Sequence, residues 1–311
     1  MSDTSIPHPS PDGPSTKLRI EPSRAVLALS LLVGLLALFC AGFGLFSSGG
    51  PERSTFTSIH GQSVQIYGQG LYSRDSVFKA AGNRGTDLVT LVIGIPLLLG
   101  AALLYRRGSL RAALLLSGMH AYFLYLYATM ALGAMYGPLF LAYVATYSAS
   151  LFALIGLLTR LWPLAPRFSP ALPRRRIAAF MFSSGFLTLG VWLGPILGAL
   201  VAGEPPALLQ HYTTMVTDAL DLGLIVPTVF MSATLIARRQ PTGYLIAFPL
   251  LLIVAMLLPI IAAQTVLQLS AGVTFRPPEI IGPIAGFLVA GSLGAWILVL
   301  LLRDFGRTAA R

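Results

Sequence analysis

The stretch from Thr86 to Arg107 is an apolar run long enough to cross a lipid bilayer. Similar runs recur along the chain, which is 55% hydrophobic and only 10% charged, whereas soluble domains carry about a quarter charged residues. Inside a bilayer every backbone N–H and C=O group must be paired within the protein, so only helices or a closed barrel can cross it. Unbroken apolar runs exclude the alternating pattern of a barrel. The sequence therefore predicts an all-α integral membrane protein.

The apolar runs predict eight transmembrane helices. They are 24–46, 86–107, 112–135, 138–158, 177–202, 217–237, 244–269 and 281–302. Residues 1–23 are rich in Pro and Ser and lack apolar periodicity, which predicts a disordered tail. A connector rich in Pro and Arg, 161–176, separates the first four runs from the last four, and 304–311 form a second short tail.

The polar connection 47–86 is the longest segment between the predicted spans. Two β-prone stretches, 55–59 and 63–67, flank a Gly and predict a small hairpin in an extracytoplasmic loop subdomain. Asp75 is a candidate cap for a short helix from Ser76 to about Ala81. A short piece before the sixth span, 206–215, is a further candidate helix.

The basic residues predict the orientation of the chain. Of 21 Lys and Arg residues, 16 lie in the two tails and in the connections that eight spans place on the same side as the tails. Because cytoplasmic segments carry the excess of basic residues, both termini are expected in the cytoplasm. The formal net charge of +10 therefore reflects topology, and no nucleic acid is expected as a partner. The lipid bilayer is the expected partner.

Segments 86–107 and 217–239 have a common layout. Each begins with Thr-Asp, has a Pro nine residues after the Asp and ends in Arg-Arg. We interpret them as equivalent helices of two parallel four-helix halves, 24–160 and 177–303, related by an axis along the membrane normal. The alternative is coincidence, because the match outside these two segments is poor.

The acids of these segments are candidate ligands. Asp87 and Asp218 open the two spans, and Asp221 lies at i+3 from Asp218 on the same helix face. One interpretation is that Asp87 and Asp218 are ordinary acids at helix N-termini, where the helix dipole favours an anion. The other is that the pseudo-twofold axis brings them to a shared vestibule. Asp221 favours the second, because a carboxylate inside the hydrocarbon edge needs a cavity or a partner.

Two further polar residues are candidates for the same vestibule. His211 precedes Asp218 by seven residues, and it would share a face with the acids if the helix extended back that far. A His–carboxylate group suits proton relay or cation binding, although His211 could equally lie in a solvated loop. Gln264, with Gln268 one turn later, lies near the outer end of the seventh span.

His120 is the one histidine well inside a predicted span, and Tyr122, Tyr125 and Tyr127 follow it. A buried polar network between helices is one interpretation, and ligand binding is the other. A haem held by two histidines would need a second histidine at similar depth. The sequence also lacks nucleotide loops and metal-spaced ligands, and its single cysteine, Cys40, excludes a cysteine-rich site. We therefore expect no cofactor and no metal.

Two stripes of small residues recur every four residues, Gly190 to Ala202 in the fifth span and Gly282 to Gly294 in the eighth. Such stripes let neighbouring helices approach closely. They predict packing faces inside the bundle, with homodimerisation as the alternative. The sequence does not define an oligomeric state.

The segment from Tyr67 to Ser76, YGQGLYSRDS, precedes the first Asp-started span. It resembles a group of multi-pass bacterial membrane proteins in which a YG-x-GLY-x-x-DS segment precedes such a helix. The resemblance covers roughly Tyr67 to Ile155. It implies a multi-pass protein of the bacterial cytoplasmic membrane and implies no activity.

Three functions remain open at this point. The first is a transporter-like carrier of a cation or small polar solute, with the acids as ligands. The second is a membrane-embedded enzyme acting on a lipid-linked substrate, with His211 and an Asp as base and acid. The third is a non-catalytic sensor or assembly subunit that uses its outer loop.

Overall fold

The described chain is built from long helices joined by short connections. The computed structural model describes residues 19–275 and 277–305. Its helices are α1 (Arg24–Phe46), α2 (Val77–Arg106), α3 (Leu110–Gly133), α4 (Phe140–Leu161), α5 (Arg174–Ala202), α6 (Val216–Ala237), α7 (Thr242–Ser270) and α8 (Pro277–Asp304). Seven of them, α1 to α7, are long and apolar enough to cross a membrane, so the chain is a multi-pass α-helical membrane protein.

The predicted hairpin is present in the connection between α1 and α2. Strands β1 (Ser54–Thr57) and β2 (Ser63–Ile66) pair in antiparallel register, and Gly61 in the connecting turn has a positive φ of 78°. We call the end of the bundle that carries this hairpin the hairpin end. The opposite end, where α1 and α5 begin and α2 ends, is called the arginine end.

Helix α2 begins nine residues earlier than the apolar pattern predicts. Ser76, and not Asp75, caps it, because the Ser76 hydroxyl accepts a hydrogen bond from the Lys79 N–H. The predicted short helix and the second span are therefore one continuous helix. Asp87 then lies about three turns inside it, and the interpretation of Asp87 as an acid at a helix N-terminus is wrong.

Helices α2 and α6 each contain one turn of π-helix at the same place. The turns are Thr90–Gly94 and Asp221–Ile225, and each begins three residues after the Thr-Asp acid. The Ile95 N–H reaches back to the Thr90 carbonyl, and the Val226 N–H does the same to Asp221. The next residue in each helix is Pro, which has no N–H to donate and disturbs the α-helical ladder. Such turns occur often at functional sites.

Helix α3 occupies the centre of the bundle and α5 its edge. Most of α3 is buried, and it packs against α2, α4 and α7 and against the first turns of α6. Helix α5 packs mainly on α6, and almost all of its apolar surface is exposed. A side chain on α3 can therefore reach the acids of both α2 and α6.

The predicted small-residue stripe on α5 is not a packing face within the bundle. A Cβ atom added at Gly190, Gly194 or Gly198 would meet no atom within 4 Å. The stripe on α8 begins at Gly282, which lies outside the residues whose side chains are described. Close approach occurs instead at Gly85 of α2, where an added Cβ would lie 2.5 Å from the Gln264 backbone nitrogen of α7.

Two connecting segments also differ from the prediction. Residues 206–215 form turns and no helix. The predicted N-terminal tail covers residues 1–23; residues 1–18 lie outside the described residues, and residues 19–23 are attached to the bundle. The Ile20 N–H donates to the Gly108 carbonyl at 3.0 Å, and the Ser23 N–H donates to the Tyr105 hydroxyl at 2.9 Å.

Candidate functional site

Asp218 and Asp221 lie one turn apart near the hairpin end of α6. Asp221 is held by two neighbouring helices: the Tyr125 hydroxyl of α3 donates to its Oδ1 at 2.9 Å, and the Trp192 Nε1–H of α5 donates to its Oδ2 at 2.8 Å. Both oxygens of Asp221 are thus occupied and its orientation is fixed. The predicted placement of these two acids on one helix face agrees with this geometry.

Asp218 differs from Asp221 in having a buried carboxylate oxygen that accepts no hydrogen bond from the described residues. Its side chain is only 6% exposed, and Oδ2 accepts no hydrogen bond from any residue that the structure describes. The Asp221 carboxylate is close enough to repel it electrostatically, and the Lys79 ammonium attracts it. A buried carboxylate oxygen without a donor carries a desolvation penalty. It is therefore a position at which a cationic or hydrogen-bond-donating ligand would be stabilised.

Lys79 of α2 is a site residue that the sequence analysis missed. Its ammonium donates to the Gly133 carbonyl at 3.2 Å and lies 4.1 Å from the ring centroid of Tyr212. It also interacts electrostatically with Asp75 and Asp218. One signal was available: the chain has 19 Arg and only two Lys, Lys17 and Lys79, and a lysine in such a chain is unusual.

A buried polar cluster joins the start of α2 to the connection before α6. The Tyr212 hydroxyl donates to Asp75 Oδ1 at 2.8 Å, and the Met135 N–H donates to the same oxygen at 3.2 Å. The Ser76 N–H donates to the Tyr212 hydroxyl at 3.2 Å. Burial raises the pKa of Asp75 above its ordinary value. Because both bonds end on Oδ1, a proton on Oδ2 would leave them intact.

Asp75 should therefore give a defined pH dependence of stability. Its pKa is raised in the folded state, so its contribution to stability is largest at low pH and is lost as the pH rises through that pKa. Asp75→Asn keeps an acceptor oxygen without charge and should unfold at a higher temperature than wild type at pH 7. The difference should shrink as the pH falls to 4, where an unfolded Asp is already about half protonated.

Thermal unfolding of the detergent-solubilised chain between pH 4 and pH 7 measures this effect. The matched control is Asp75→Ala, which removes the acceptor from the Tyr212 hydroxyl and the Met135 N–H. It should lower stability by about 1 to 3 kcal/mol at every pH in this range. A constant difference between wild type and Asp75→Asn across the range would contradict the assignment.

His211 does not line a face with the two acids. Helix α6 begins at Val216, and His211 lies in the turn before it. Its Nε2 is 3.1 Å from the Arg74 carbonyl, and its ring contacts the rings of Phe56 and Tyr212. The predicted His–carboxylate group therefore does not form, because the helix ends short of the histidine.

Asp87 is buried in a separate place, between α1 and α2. The Tyr72 hydroxyl donates to its Oδ2 at 2.7 Å, and burial raises the pKa of Tyr72 so that this hydroxyl keeps its proton. The carboxylate packs on Gly44 of α1, where an added Cβ would overlap Oδ2. Among the described residues the neighbours of Asp87 (Tyr72 and Gly44) differ from those of Asp218 (Asp221 and Lys79), so these contacts do not support one shared vestibule.

Gln264 and Gln268 form hydrogen bonds between helices. Gln264 Nε2 donates to the Thr86 hydroxyl at 2.8 Å, and Gln268 Nε2 donates to the Phe78 carbonyl at 3.1 Å. Both amides thus join α7 to α2, whereas the prediction placed them at a vestibule. The Thr90 hydroxyl, at the start of the first π turn, is 3.2 Å from the hydroxyl of Tyr122 on α3.

His120 of α3 is fully buried against Ser30 of α1. Its Nε2 is 2.8 Å from the Ser30 hydroxyl, which donates its own proton to the Val26 carbonyl at 2.8 Å. With the Ser30 proton in that bond, Nε2 carries the imidazole proton and donates it to the Ser30 hydroxyl. Nδ1 is then a bare acceptor, and it has no partner in the described part of the chain. This histidine joins two helices.

The chemistry of the site is that of paired carboxylates in an apolar surrounding. Within residues 19–275 and 277–305, no group of three or more His, Cys, Asp or Glu could hold a metal ion. Comparison of the chain with protein-family models, with curated proteins and with solved structures finds no match. The function must therefore be argued from the geometry of Asp218, Asp221 and Lys79.

Proposed function

We propose that the chain is a transporter-like carrier of a cation or a small polar solute that carries a positive charge. The buried Oδ2 of Asp218, which lacks a donor and lies beside a second carboxylate, is the observation that carries this proposal. Intramembrane carboxylates of this kind are costly unless they serve a pathway or a partner. A bound cation would supply the missing partner.

Lys79 is a counter-ion for Asp218. Its ammonium attracts Asp218 electrostatically while donating to the Gly133 carbonyl. A cation that binds Asp218 and Asp221 must therefore compete with Lys79, which weakens binding enough for release. Trp192 and Tyr125 keep Asp221 in place during this exchange, because each donates to a different oxygen.

The architecture we propose has eight spans in two parallel halves, with α8 as the eighth crossing. The π turns of α2 and α6 support it, because they occur at the same offset from Thr-Asp and from Pro. The packing supports it as well: α2 packs on α7, and the start of α6 packs on α3. The basic residues favour the arginine end and both termini in the cytoplasm of a bacterial cell, with the hairpin outside.

A sensor or assembly subunit is the second candidate. Strand β1 is exposed along its whole length, and Ile59 at the hairpin turn is 94% exposed. An exposed edge strand with an apolar tip suits recognition of another chain. The enzyme hypothesis has no comparable support, because His211 bonds to the Arg74 carbonyl and not to an acid.

Flux through the purified chain in proteoliposomes tests the carrier proposal. Gradients of Na⁺, K⁺, H⁺ and methylammonium serve as probes, with protein-free liposomes and an Asp218→Asn/Asp221→Asn double variant as controls. Wild type should carry at least one probe faster than both controls, and another cation of similar size should compete. Equal flux for all four probes in wild type and in the double variant would overturn the carrier proposal.

A further inference from the structure

A cleft of about 460 Å³ opens at the hairpin end, and Asp218 is not among the residues that line it. It lies between the end of α1, the turn before α2 and the connection from α3 to α4. Its lining residues are Phe43, Ser47, Ser48, Gly49, Gly50, Gly70, Leu71, Ser73, Arg74, Met135, Tyr136, Gly137 and Pro138. This volume lies in the range of small-molecule sites.

Arg74 is the one charged residue in that lining. Its guanidinium makes one hydrogen bond within the described chain, to the Tyr136 carbonyl at the long distance of 3.5 Å. A guanidinium has five N–H donors, so several remain for a ligand. The serine hydroxyls and glycine backbone around it add donors and acceptors but no negative charge.

The charges behind the cleft wall do not cancel Arg74. The neighbouring Asp75 does not line the cleft, and its Oδ1 accepts from the Tyr212 hydroxyl and from the Met135 N–H. Lys79 interacts electrostatically with that carboxylate. Helix α4 starts two residues after Pro138, and no side chain in the described residues caps it. The positive end of its dipole therefore adds to the attraction for an anion.

The ends of apolar helices surround the cleft, and this is the depth at which a lipid headgroup is expected. It sits where α1 ends and α4 begins, and the adjoining aromatic residues Phe46 and Tyr136 are 80% and 74% exposed. Aromatic side chains favour this interfacial depth. We propose that the cleft binds a phosphate anion that carries a hydroxylated arm, with the phosphate on Arg74 and the arm on the serine hydroxyls. An anionic phospholipid headgroup and a free phosphate ester share this chemistry.

Binding to the full chain in phosphatidylcholine nanodiscs tests the proposal with two probes. Native mass spectrometry counts phosphatidylglycerol molecules bound as its fraction is raised, and calorimetry measures soluble glycerol 3-phosphate. Arg74→Gln removes the charge, and Gly137→Leu fills the cleft, since an added Cβ there meets only the Met135 carbonyl at 3.7 Å. Arg53→Gln is the matched control, because Arg53 is an arginine at the same end that donates to the Ala271 carbonyl outside the cleft.

We expect one saturable site whose affinity falls about tenfold in Arg74→Gln and in Gly137→Leu and is unchanged in Arg53→Gln. Saturation by phosphatidylglycerol alone identifies a lipid site, and saturation by glycerol 3-phosphate identifies a solute site. Failure of both probes to saturate, or an equal loss in Arg53→Gln and Arg74→Gln, overturns the proposal. Because Asp218 is not involved, these outcomes are independent of the flux experiment.

Discussion

Replacing Asp218 with asparagine should reduce cation flux by about a hundredfold and leave the unfolding temperature close to that of wild type. The Asp218 Oδ2 has no hydrogen-bond partner in the described chain. Replacing this oxygen with an amide nitrogen therefore breaks no hydrogen bond in the described chain. The exchange removes the charge that a bound cation would neutralise, and losing one partner of a buried charge pair costs several kcal/mol.

Asp304→Asn is the control for this substitution. Asp304 lies at the arginine end, where its Oδ2 accepts from the Ser169 N–H at 2.8 Å, and asparagine can still accept there. Flux and unfolding temperature are measured for both variants in the same liposomes. Flux in Asp218→Asn above one tenth of the wild-type rate would remove Asp218 as a ligand, and a lowered unfolding temperature would point to a structural role.

Asp221→Asn is a less direct test of charge. Trp192 Nε1–H can only donate, so the amide oxygen of the asparagine must face it. The amide nitrogen then faces the Tyr125 hydroxyl, which has to reverse its hydrogen bond and become an acceptor. The variant thus alters the packing of α3 against α6 together with the charge, whereas Asp218→Asn alters the charge alone.

Local patterns in the sequence predicted local structure well. Helix α1 has the predicted bounds, 24–46, and the hairpin lies within one or two residues of its predicted strands. Asp218 and Asp221 share a face because i and i+3 residues are neighbours on any helix. These features depend on spacing along the chain, which the sequence contains directly.

Features that depend on what packs opposite were not predictable. The polar residues 82–85 looked like a loop, yet α2 continues through them because Arg84 bonds to the Tyr67 hydroxyl and the Leu45 carbonyl. The stripe on α5 was periodic, but a Cβ added at Gly190, Gly194 or Gly198 meets no atom of the described residues within 4 Å. A periodic pattern of small residues shows which face of a helix another helix can approach closely. It does not show which surface packs on that face.

The candidate site shows the same limit for long-range contacts. The common layout of α2 and α6 makes Asp87 and Asp218 equivalent in position, but equivalence gives no distance between them, and each has its own neighbours. The Lys79 ammonium is held at the site by long-range contacts, with the Tyr212 ring of the connection before α6 and the Gly133 carbonyl of α3. That arrangement depends on how the connection before α6 packs on α2, which the apolar pattern of the helices does not predict.

Substituting Gly85 with alanine should destabilise the protein by about 3 kcal/mol, whereas alanine at Gly100 of the same helix should have almost no effect. A Cβ at Gly85 would lie 2.5 Å from the Gln264 nitrogen and 2.8 Å from the Ala263 carbonyl carbon. These are backbone atoms of α7, and they cannot rotate away as a side chain would. At Gly100 an added Cβ meets nothing within 4 Å.

The Gly85 variant must therefore separate α2 from α7 over several turns. That movement stretches the hydrogen bonds from Gln264 to Thr86 and from Gln268 to the Phe78 carbonyl, which are now 2.8 and 3.1 Å long. Unfolding temperatures of both variants in one detergent measure the effect, and Gly85→Ala should unfold several degrees below Gly100→Ala. Equal unfolding temperatures would show that α2 and α7 do not approach this closely. The contact between the two proposed halves near the acids would then rest on α3 and α6, where a Cβ added at Gly133 would lie 3.1 Å from the Val216 Cβ.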